Sequence, residues 1–492
     1  MGRPVWVEPE SRRRHKPDAE RVRFQRGAPL HYESLAEAAR RLQERAISPV
    51  ELARHMLERI PAVDGRLHAF VTVTADRAMD AARRAEAEIE SGRYRGPLHG
   101  IPIGVKDLCD MQGVATGAGT RVLRDFIPDQ DATVVARLED AGAVILGKQA
   151  LCEGAFGPYH PALAVPVNPW DASRWSGVSS SGSAVAAAAG LCFGSIATDT
   201  GGSIRYPAAA NGCVGLKPTY GRVSRHGVFP LAPSMDHVGP MARTVEDAAL
   251  IFDAIAGPDP KDPTTRPEPF DSIRPQLVRG VKGLRVGFDR RYATENVEPQ
   301  TADAVVQAVA ELEKLGATVV DVTMPDLTHV RRAWYALCID EAAKAHARTF
   351  PSRAGEYGAG LRIHLEKGLR IPPAEVAAAA EIRSQVAARI DGLLAEVDCF
   401  VCPSMSNSAQ EKDADPTVET NESWRRLVIN DVHAKPFDFS GSPTLSLPCG
   451  FTGHGLPLSV QFVGRPLGEA TICRIGHAYQ QATGWHARHP EV

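Results

Sequence analysis

The chain contains 492 residues, nine of them cysteines, and its formal net charge is −3 at pH 7. This balance excludes a general electrostatic attraction to nucleic acid or anionic membranes, and the sequence has neither an apolar run long enough to span a bilayer nor a charged-then-apolar leader. The odd number of scattered cysteines favours free thiols in a reducing compartment over a disulfide framework, so we expect a cytoplasmic protein.

The N-terminal segment differs in composition from the rest of the chain. Residues 11–26 contain seven arginines and lysines and few apolar residues. Such a segment could bind a polyanion, but a solvated arm is favoured because it has little to bury. We therefore predict that residues 1–28 form a poorly ordered N-terminal extension. Residues 29–488 are predicted to form one large domain, since no linker-like stretch separates them after residue 60.

Apolar periodicity predicts alternating helices and strands along this domain. The predicted elements are helices at 34–45 and 49–60, a strand at 100–106, a helix at 132–140, strands at 143–146 and 284–288, a helix at 301–315, a strand at 317–322 and helical segments within 362–395. Strand–helix–strand units of this kind predict an α/β fold, a single large domain with a mixed, largely parallel β-sheet covered by helices. The units lack G-x-G-x-x-G and Walker sequences, so no nucleotide cofactor is expected.

Two glycine-rich loops carry an unusual density of hydroxyl groups, at residues 176–183 and 199–205. Gly201 and Gly202 permit a sharp turn whose N–H groups are not covered by side chains, as an oxyanion-binding nest requires. Ser203 follows them in the position of a nucleophile. Ile204 comes next, so the G-x-S-x-G elbow of α/β-hydrolases is absent, and no histidine lies close in sequence. These features disfavour a Ser-His-Asp triad.

A base is offered by Lys106 at the end of the predicted strand 100–106, which places Ile101, Ile103 and Val105 on one face. Moving a lysine pKa from about 10.4 to near neutrality costs roughly 4 kcal/mol, which burial can impose. The neutral amine is then a competent general base.

These loops and the strand resemble the amidase signature family. The resemblance rests on Gly104–Asp107, the serine run and Asp199–Arg205, and it continues at 215–224, 236–243, 441–444 and 455–457. It implies the amidase signature fold, with residues 29–488 as the catalytic domain. Val178 and Ser181 stand where the family pattern has glycine, which leaves the geometry of this loop less defined than the triad.

Carried over residue by residue, the resemblance implies that Ser203 is the nucleophile, Lys106 the general base and Ser179 a bridging serine on a cis peptide bond. The two serines are 203 minus 179, or 24, residues apart, as in the family pattern. The implied oxyanion hole consists of the backbone N–H groups of Thr200, Gly201, Gly202 and Ser203. The implied supporting residues are Ser180, Asp199 and Arg205. By the same resemblance, residues 362–395 and loops at 152–159 and 432–439 shape the substrate pockets.

Each of these residues has a simpler explanation by itself, as a turn serine or a surface lysine, but their joint spacing favours the site. Cys399 and Cys402 lie in an apolar strand-like run and are interpreted as buried structural thiols, because a zinc or redox site needs a second pair or a helix terminus. His160 and His237 are interpreted as structural. We expect no metal ion and no cofactor.

The implied activity is that of a cofactor-independent amidase that hydrolyses the C–N bond of a small carboxylic amide through an acyl-enzyme, with carbamates, esters or hydrazides as further substrates. We expect a homodimer without nucleic-acid or membrane partners. The alternative is the glutaminase A subunit of a tRNA-dependent amidotransferase. Tyr206, where those subunits carry glutamine, and the segment 153–157 both depart from that pattern. An inactive scaffold is disfavoured because all three triad positions are filled.

Overall fold

The computed structural model describes residues 29–418 and 431–492. The predicted extension, residues 1–28, lies outside the described residues, so its boundary with the domain stays a prediction. No helix in the described ranges is long and apolar enough to cross a membrane.

One sheet of eleven strands runs through the described chain, in the order β1-β3-β2-β4-β6-β5-β10-β11-β9-β7-β8. The strands are β1 Phe70–Val73, β2 Pro102–Lys106, β3 Val144–Gln149, β4 Gly194–Asp199, β5 Val214–Lys217, β6 His237–Ala242, β7 Arg285–Phe288, β8 Thr318–Asp321, β9 Cys399–Pro403, β10 Thr444–Phe451 and β11 Pro457–Val463. The strands predicted at 100–106, 143–146, 284–288 and 317–322 correspond to β2, β3, β7 and β8.

The sheet is mixed, as predicted, but less parallel than expected. Strand β2 pairs parallel with β3 and β4, and β7 pairs parallel with β8 and β9. The pairings β1–β3, β4–β6, β5–β6, β5–β10, β10–β11 and β9–β11 are antiparallel. One antiparallel pair follows directly from its connection: residues 452–456 join β10 to β11, and so short a connection permits only an antiparallel pair.

Helices cover both faces of the sheet. They are α1 Leu35–Gln43, α2 Pro49–Leu67, α3 Ala75–Glu90, α4 Thr133–Asp140, α5 Ser181–Ala188, α6 Arg205–Asn211, α7 Val245–Ile255, α8 Arg290–Thr294, α9 Pro299–Lys314, α10 Val330–Ala345, α11 Ala359–Gly368, α12 Pro373–Ala395, α13 (residues 431–439 of its described part) and α14 Glu469–Thr483. Short 3-10 turns occupy Leu30–Tyr32, Glu153–Ala155, Arg274–Arg279, Ala354–Glu356 and Trp485–Ala487. The predicted helices within 362–395 are confirmed as α11 and α12, with the break at the prolines that start α12.

The element that positions the serine-rich loop is α5. All eight of its residues, Ser181–Ala188, are buried, and their small side chains let the helix pack against β2, β3, β4 and β6 at once. Strands β2 and β4 are parallel, so their carboxyl ends, Lys106 and Asp199, lie at the same edge of the sheet. The two serine loops therefore meet the strand-end lysine inside the protein.

Candidate active site

The lysine at the end of β2 lies among hydroxyl groups. Lys106 is fully buried, and its Nζ donates to Ser179 Oγ at 2.7 Å, to Ser180 Oγ at 2.8 Å and to Thr198 Oγ1 at 2.7 Å. Burial lowers the pKa of Lys106 to about 8. Three neutral acceptors cannot balance a full charge as a carboxylate would, so this amine gives up its proton far more readily than a solvated lysine.

A neighbouring lysine shows the contrast. Lys148, on β3, is also fully buried, but its Nζ lies 3.0 Å from Asp107 Oδ1 and donates to Thr116 Oγ1 at 2.7 Å. The carboxylate gives this second amine an ionic partner. The sheet thus holds two buried lysines side by side, one in an ion pair and one in a cluster of hydroxyls.

The loop before α5 carries Ser179 into this cluster. The Val178–Ser179 peptide bond is cis, and Gly177 adopts φ +79°, where a Cβ would lie 2.4 Å from Pro207 Cα. Ser180 N donates to Ser203 O at 3.3 Å, and Ser180 Oγ donates to Thr198 O at 3.1 Å. These bonds tie the serine-rich loop to the loop that follows β4, and thereby bring the region of Ser179 beside that of Ser203.

The loop after β4 is folded around the carboxylate of Asp199. Asp199 Oδ1 accepts from Gly202 N at 2.7 Å, and Oδ2 accepts from Ile204 N at 2.9 Å. The N–H of Gly202 is thus already bound inside the protein, which corrects its assignment as an oxyanion donor. The N–H groups of Thr200, Gly201 and Ser203 form no hydrogen bond with an acceptor among the described residues.

Two close approaches explain the glycine pair. A Cβ on Gly201 would lie 2.5 Å from Trp334 Cζ2, and a Cβ on Gly202 would lie 2.4 Å from the ring of Tyr206. Gly202 also adopts φ +118°, which side chains of L residues rarely allow. Trp334 Nε1 also donates to Thr200 O at 2.8 Å, and this bond fixes the loop against α10. We call residues 200–203 the nest from here on.

The nest is braced by a buried ionic cluster. Arg205 Nη2 donates to Asp199 Oδ1 at 2.8 Å and to Asp438 Oδ2 at 2.8 Å, and Arg205 Nη1 donates to Ala434 O at 2.9 Å. Although burial opposes ionisation, the guanidinium holds the pKa of Asp199 well below its usual range. Burial raises the pKa of Asp438 to about 7. Asp199 is therefore the ionised partner of Arg205 and shapes the nest. Helix α13 also holds Arg205, through Asp438 and the carbonyl of Ala434.

Ser203 opens onto a cavity of about 530 Å³. Its side chain is half-buried and makes no hydrogen bond within the described residues. The aromatic residues of the cavity wall are Phe156, Tyr159, Trp175, Tyr206 and Trp334. The segment 152–159 lines this cavity as expected, and 432–439 contributes Lys435, but as part of a helix rather than a loop. The lining that the structure describes includes none of residues 362–395, and α12 packs against α10.

His237, Cys399 and Cys402, which the sequence offered as a possible base and possible metal ligands, are all buried. His237 Nδ1 hydrogen-bonds to Asp199 O at 3.2 Å, and burial lowers the pKa of His237 well below its ordinary value. Cys399 and Cys402 are buried on β9, and burial raises the pKa of both thiols. Within residues 29–418 and 431–492, no group of three or more histidine, cysteine, aspartate or glutamate side chains could hold a metal ion.

Three contributors were missed by sequence reasoning. Thr198 directly precedes Asp199, and the parallel pairing of β2 with β4 could have placed it beside Lys106. Asp438 lies 233 residues from Arg205 and Trp334 lies 134 residues from Thr200, so no local pattern connects either pair. Only the packing of α10 and α13 against the nest brings them there.

The chain is similar to known proteins over most of its length. A family model described as Amidase matches residues 51–473. AmiD of Mycobacterium tuberculosis, a predicted amidase, is 44% identical over 465 residues, which cover 93% of this chain and 96% of AmiD. The A subunit of the glutamyl-tRNA(Gln) amidotransferase of Chloroflexus aggregans is 38% identical over 491 residues, which cover 94% of this chain and 99% of that one. The peptide amidase of Stenotrophomonas maltophilia is 32% identical, with a TM-score of 0.81 and coverage of 94% and 99%.

Proposed function

The chain belongs to the amidase family and acts on carbon–nitrogen bonds other than peptide bonds, and we propose that it is a free-standing hydrolase of carboxylic amides that works through an acyl-enzyme on Ser203. The observation that carries the proposal is the contact of a buried lysine with three hydroxyl groups, one of them Ser179. Lys148, by contrast, lies in an ion pair with Asp107.

The proposed first step is the attack of Ser203 on the substrate carbonyl. Neutral Lys106 takes a proton from Ser179, and Ser179 takes the proton of Ser203 as its oxygen attacks. Ser180 and Thr198 hold the amine in place. The pKa of Lys106, which burial lowers to about 8, supports this role because a useful fraction of the amine is then neutral near physiological pH.

The tetrahedral intermediate carries its negative charge on the former carbonyl oxygen. We assign the stabilisation of this charge to the N–H groups of Gly201 and Ser203, with that of Thr200 beside them. Asp199, by binding Gly202 N, fixes the turn that aims those groups. The relay then returns the proton to the leaving nitrogen, and water hydrolyses the acyl-enzyme with the same base.

The amidotransferase subunit remains the alternative, since one such subunit is 38% identical to this chain. Tyr206 favours the free-standing enzyme: it lies in the cavity wall and packs on Gly202, at the position where those subunits carry glutamine. A panel of aryl and alkyl amides, carbamates and esters tests the choice with the purified chain alone. Hydrolysis without glutamine, ATP or tRNA is expected. Inactivity on the whole panel, with glutamine hydrolysis only after partner subunits are added, would overturn the proposal.

Labelling with a fluorophosphonate tests the nucleophile. We expect modification of Ser203 alone, and Ser203→Ala should fold normally while losing labelling and essentially all turnover. Ser173→Ala, an exposed serine whose Oγ donates to Asp171, is the matched control and should keep both. Near-normal hydrolysis by Ser203→Ala would refute the assignment.

Two further features are proposed on the sequence alone. A homodimer is tested by sedimentation of the purified chain, and a cytoplasmic location is tested by fractionation of the source cells. A monomer in solution would remove the first without affecting the chemistry.

A further inference from the structure

A buried ion pair lies in the wall of the active-site cavity and takes no part in the proposed chemistry. Lys435 and Asp431, one turn apart on α13, both line the cavity and are only 5% and 4% exposed. Lys435 Nζ forms an ion pair with Asp431 Oδ1. The same nitrogen lies 4.2 Å from the centre of the Trp334 ring. A buried charged pair in this wall calls for an explanation, because burial of charge is costly.

The ammonium of Lys435 has fewer hydrogen-bond acceptors among the described residues than it has N–H groups. An ammonium has three N–H groups. One donates to Asp431, and the face of Trp334 attracts the charge from one side. No other acceptor for Lys435 is found in the described ranges of the chain. Asp431, in contrast, is engaged twice, since its Oδ2 also lies 3.5 Å from Arg331 Nε. Lys435, rather than Asp431, can therefore donate a further hydrogen bond to a ligand.

The position of Lys435 relative to the nest defines which part of a substrate it meets. The indole of Trp334 bonds to Thr200 O through Nε1, and its Cζ2 edge packs against Gly201. Lys435 is thus separated from the nest by one indole ring. A substrate whose carbonyl oxygen occupies the nest and whose acyl group lies along this ring presents its nearby substituents to the ammonium.

We propose that Lys435 is a substrate-binding residue that selects amides whose acyl group carries a neutral hydrogen-bond acceptor, such as an acylamino carbonyl, close to the scissile carbonyl. The inference rests on the proposed function. The acceptor is neutral because Asp431 lies against the lysine, so a carboxylate on the substrate would stand beside a second carboxylate. The aromatic wall binds the remainder of the acyl group.

A pair of substrates that differ only in the acceptor tests this directly. N-acetylphenylalaninamide carries an acylamino carbonyl, and 3-phenylpropionamide lacks it. With the wild-type enzyme, kcat/KM is expected to be higher for the first. Lys435→Met keeps the apolar stem and removes the donor, so kcat/KM should fall about tenfold or more for the first substrate and less than about twofold for the second.

Lys412→Met is the matched control, since Lys412 also lines the cavity but is exposed. It should leave the ratio of the two substrates unchanged. Lys435→Gln, which restores a donor, should recover part of the preference. Urea unfolding shows whether each variant is folded.

The outcomes separate the inference from the proposed function. If wild type hydrolyses neither of these compounds nor any other amide, the proposed function fails. If it hydrolyses amides but shows no preference for the acetylated compound, or if Lys435→Met lowers both rates equally, Lys435 does not select the acceptor. If 2-carbamoyl-3-phenylpropanoate, with a carboxylate at the same carbon, is preferred over the acetylated amide, the acceptor is not neutral and the proposal is overturned.

Discussion

The hydroxyl of Thr198 allows the role of Lys106 to be tested without removing the amine. Thr198 Oγ1 accepts a hydrogen bond from Lys106 Nζ at 2.7 Å inside the protein. Thr198→Val replaces this hydroxyl with a methyl group of similar shape and leaves both loop serines in contact with the amine. An ammonium donates a stronger hydrogen bond than a neutral amine does, so loss of the acceptor destabilises the charged form. The pKa of Lys106 is therefore expected to fall.

The size of the shift follows from the difference between the two kinds of hydrogen bond. A bond to a charged group contributes roughly 1.5–3 kcal/mol and a neutral one about 1 kcal/mol, so the difference is about 0.5–2 kcal/mol. One pKa unit corresponds to about 1.36 kcal/mol, which gives a displacement of about one unit. Burial lowers the pKa of Lys106 to about 8 in the wild type. The acid limb of the pH profile should therefore move from about pH 8 to about pH 7.

The assay is kcat/KM for a simple aryl amide, measured between about pH 5.5 and about pH 10. The plateau at high pH should drop, because a base of lower pKa is weaker. Thr116→Val is the matched control: it removes a hydroxyl that accepts from Lys148 at 2.7 Å, in the neighbouring ion pair. A limb that stays in place or moves upward in Thr198→Val, or moves equally in both variants, would refute Lys106 as the titrating base.

The remaining predictions concern the same machinery. Folded Lys106 has a pKa of about 8 against 10.5 for the unenclosed side chain, so the folded state binds fewer protons between these values and stability rises with pH there. Lys106→Met should remove its share of this rise, up to about 3 kcal/mol by urea unfolding. Lys106→Arg should be inactive at every pH, since guanidinium keeps its proton. Ser179→Ala should lose far more activity on amides than on activated esters, whose leaving groups need less protonation; equal losses would make Ser179 structural. Exhaustive chelation should leave kcat unchanged, and a loss restored by zinc would contradict the metal-free mechanism.

The sequence was most informative for features that depend on only a few neighbouring residues. Alternating apolar residues predicted the strand that ends at Lys106, and the glycine pair before Ser203 predicted a sharp turn. Both inferences depend only on residues within one element or one loop. The resemblance then supplied the pairing of the two serine loops, and the structure brings Lys106 within 2.7 Å of Ser179.

The remainder depends on contacts that no local pattern encodes. Gly202 N can donate either to Asp199 inside the protein or to the oxyanion of a substrate. Amino-acid composition does not distinguish these two acceptors. The fraction of parallel strand pairs was overestimated because the sequence shows strand–helix–strand units, which favour parallel pairing. The antiparallel pairing of β5, β6, β10 and β11 has no comparable pattern in the sequence. Prediction of residues 432–439 as a loop failed for a related reason: this helix packs its polar residues inside the protein, so its period is not amphipathic.

The two functions of α13 explain how the nest and the substrate preference can vary separately. Residues 434 and 438 provide the carbonyl and the carboxylate that hold Arg205, and through Arg205 they fix Asp199 and the nest. Residues 431 and 435 instead line the cavity. The four positions are three or four residues apart and share one helix face, but Arg205 is held by the backbone carbonyl of Ala434 and the carboxylate of Asp438, whereas Asp431 and Lys435 line the cavity. A substitution at 435 therefore changes what the acyl group meets while the support of Arg205 stays intact, whereas a substitution at 438 leaves a buried guanidinium without one of its two carboxylates.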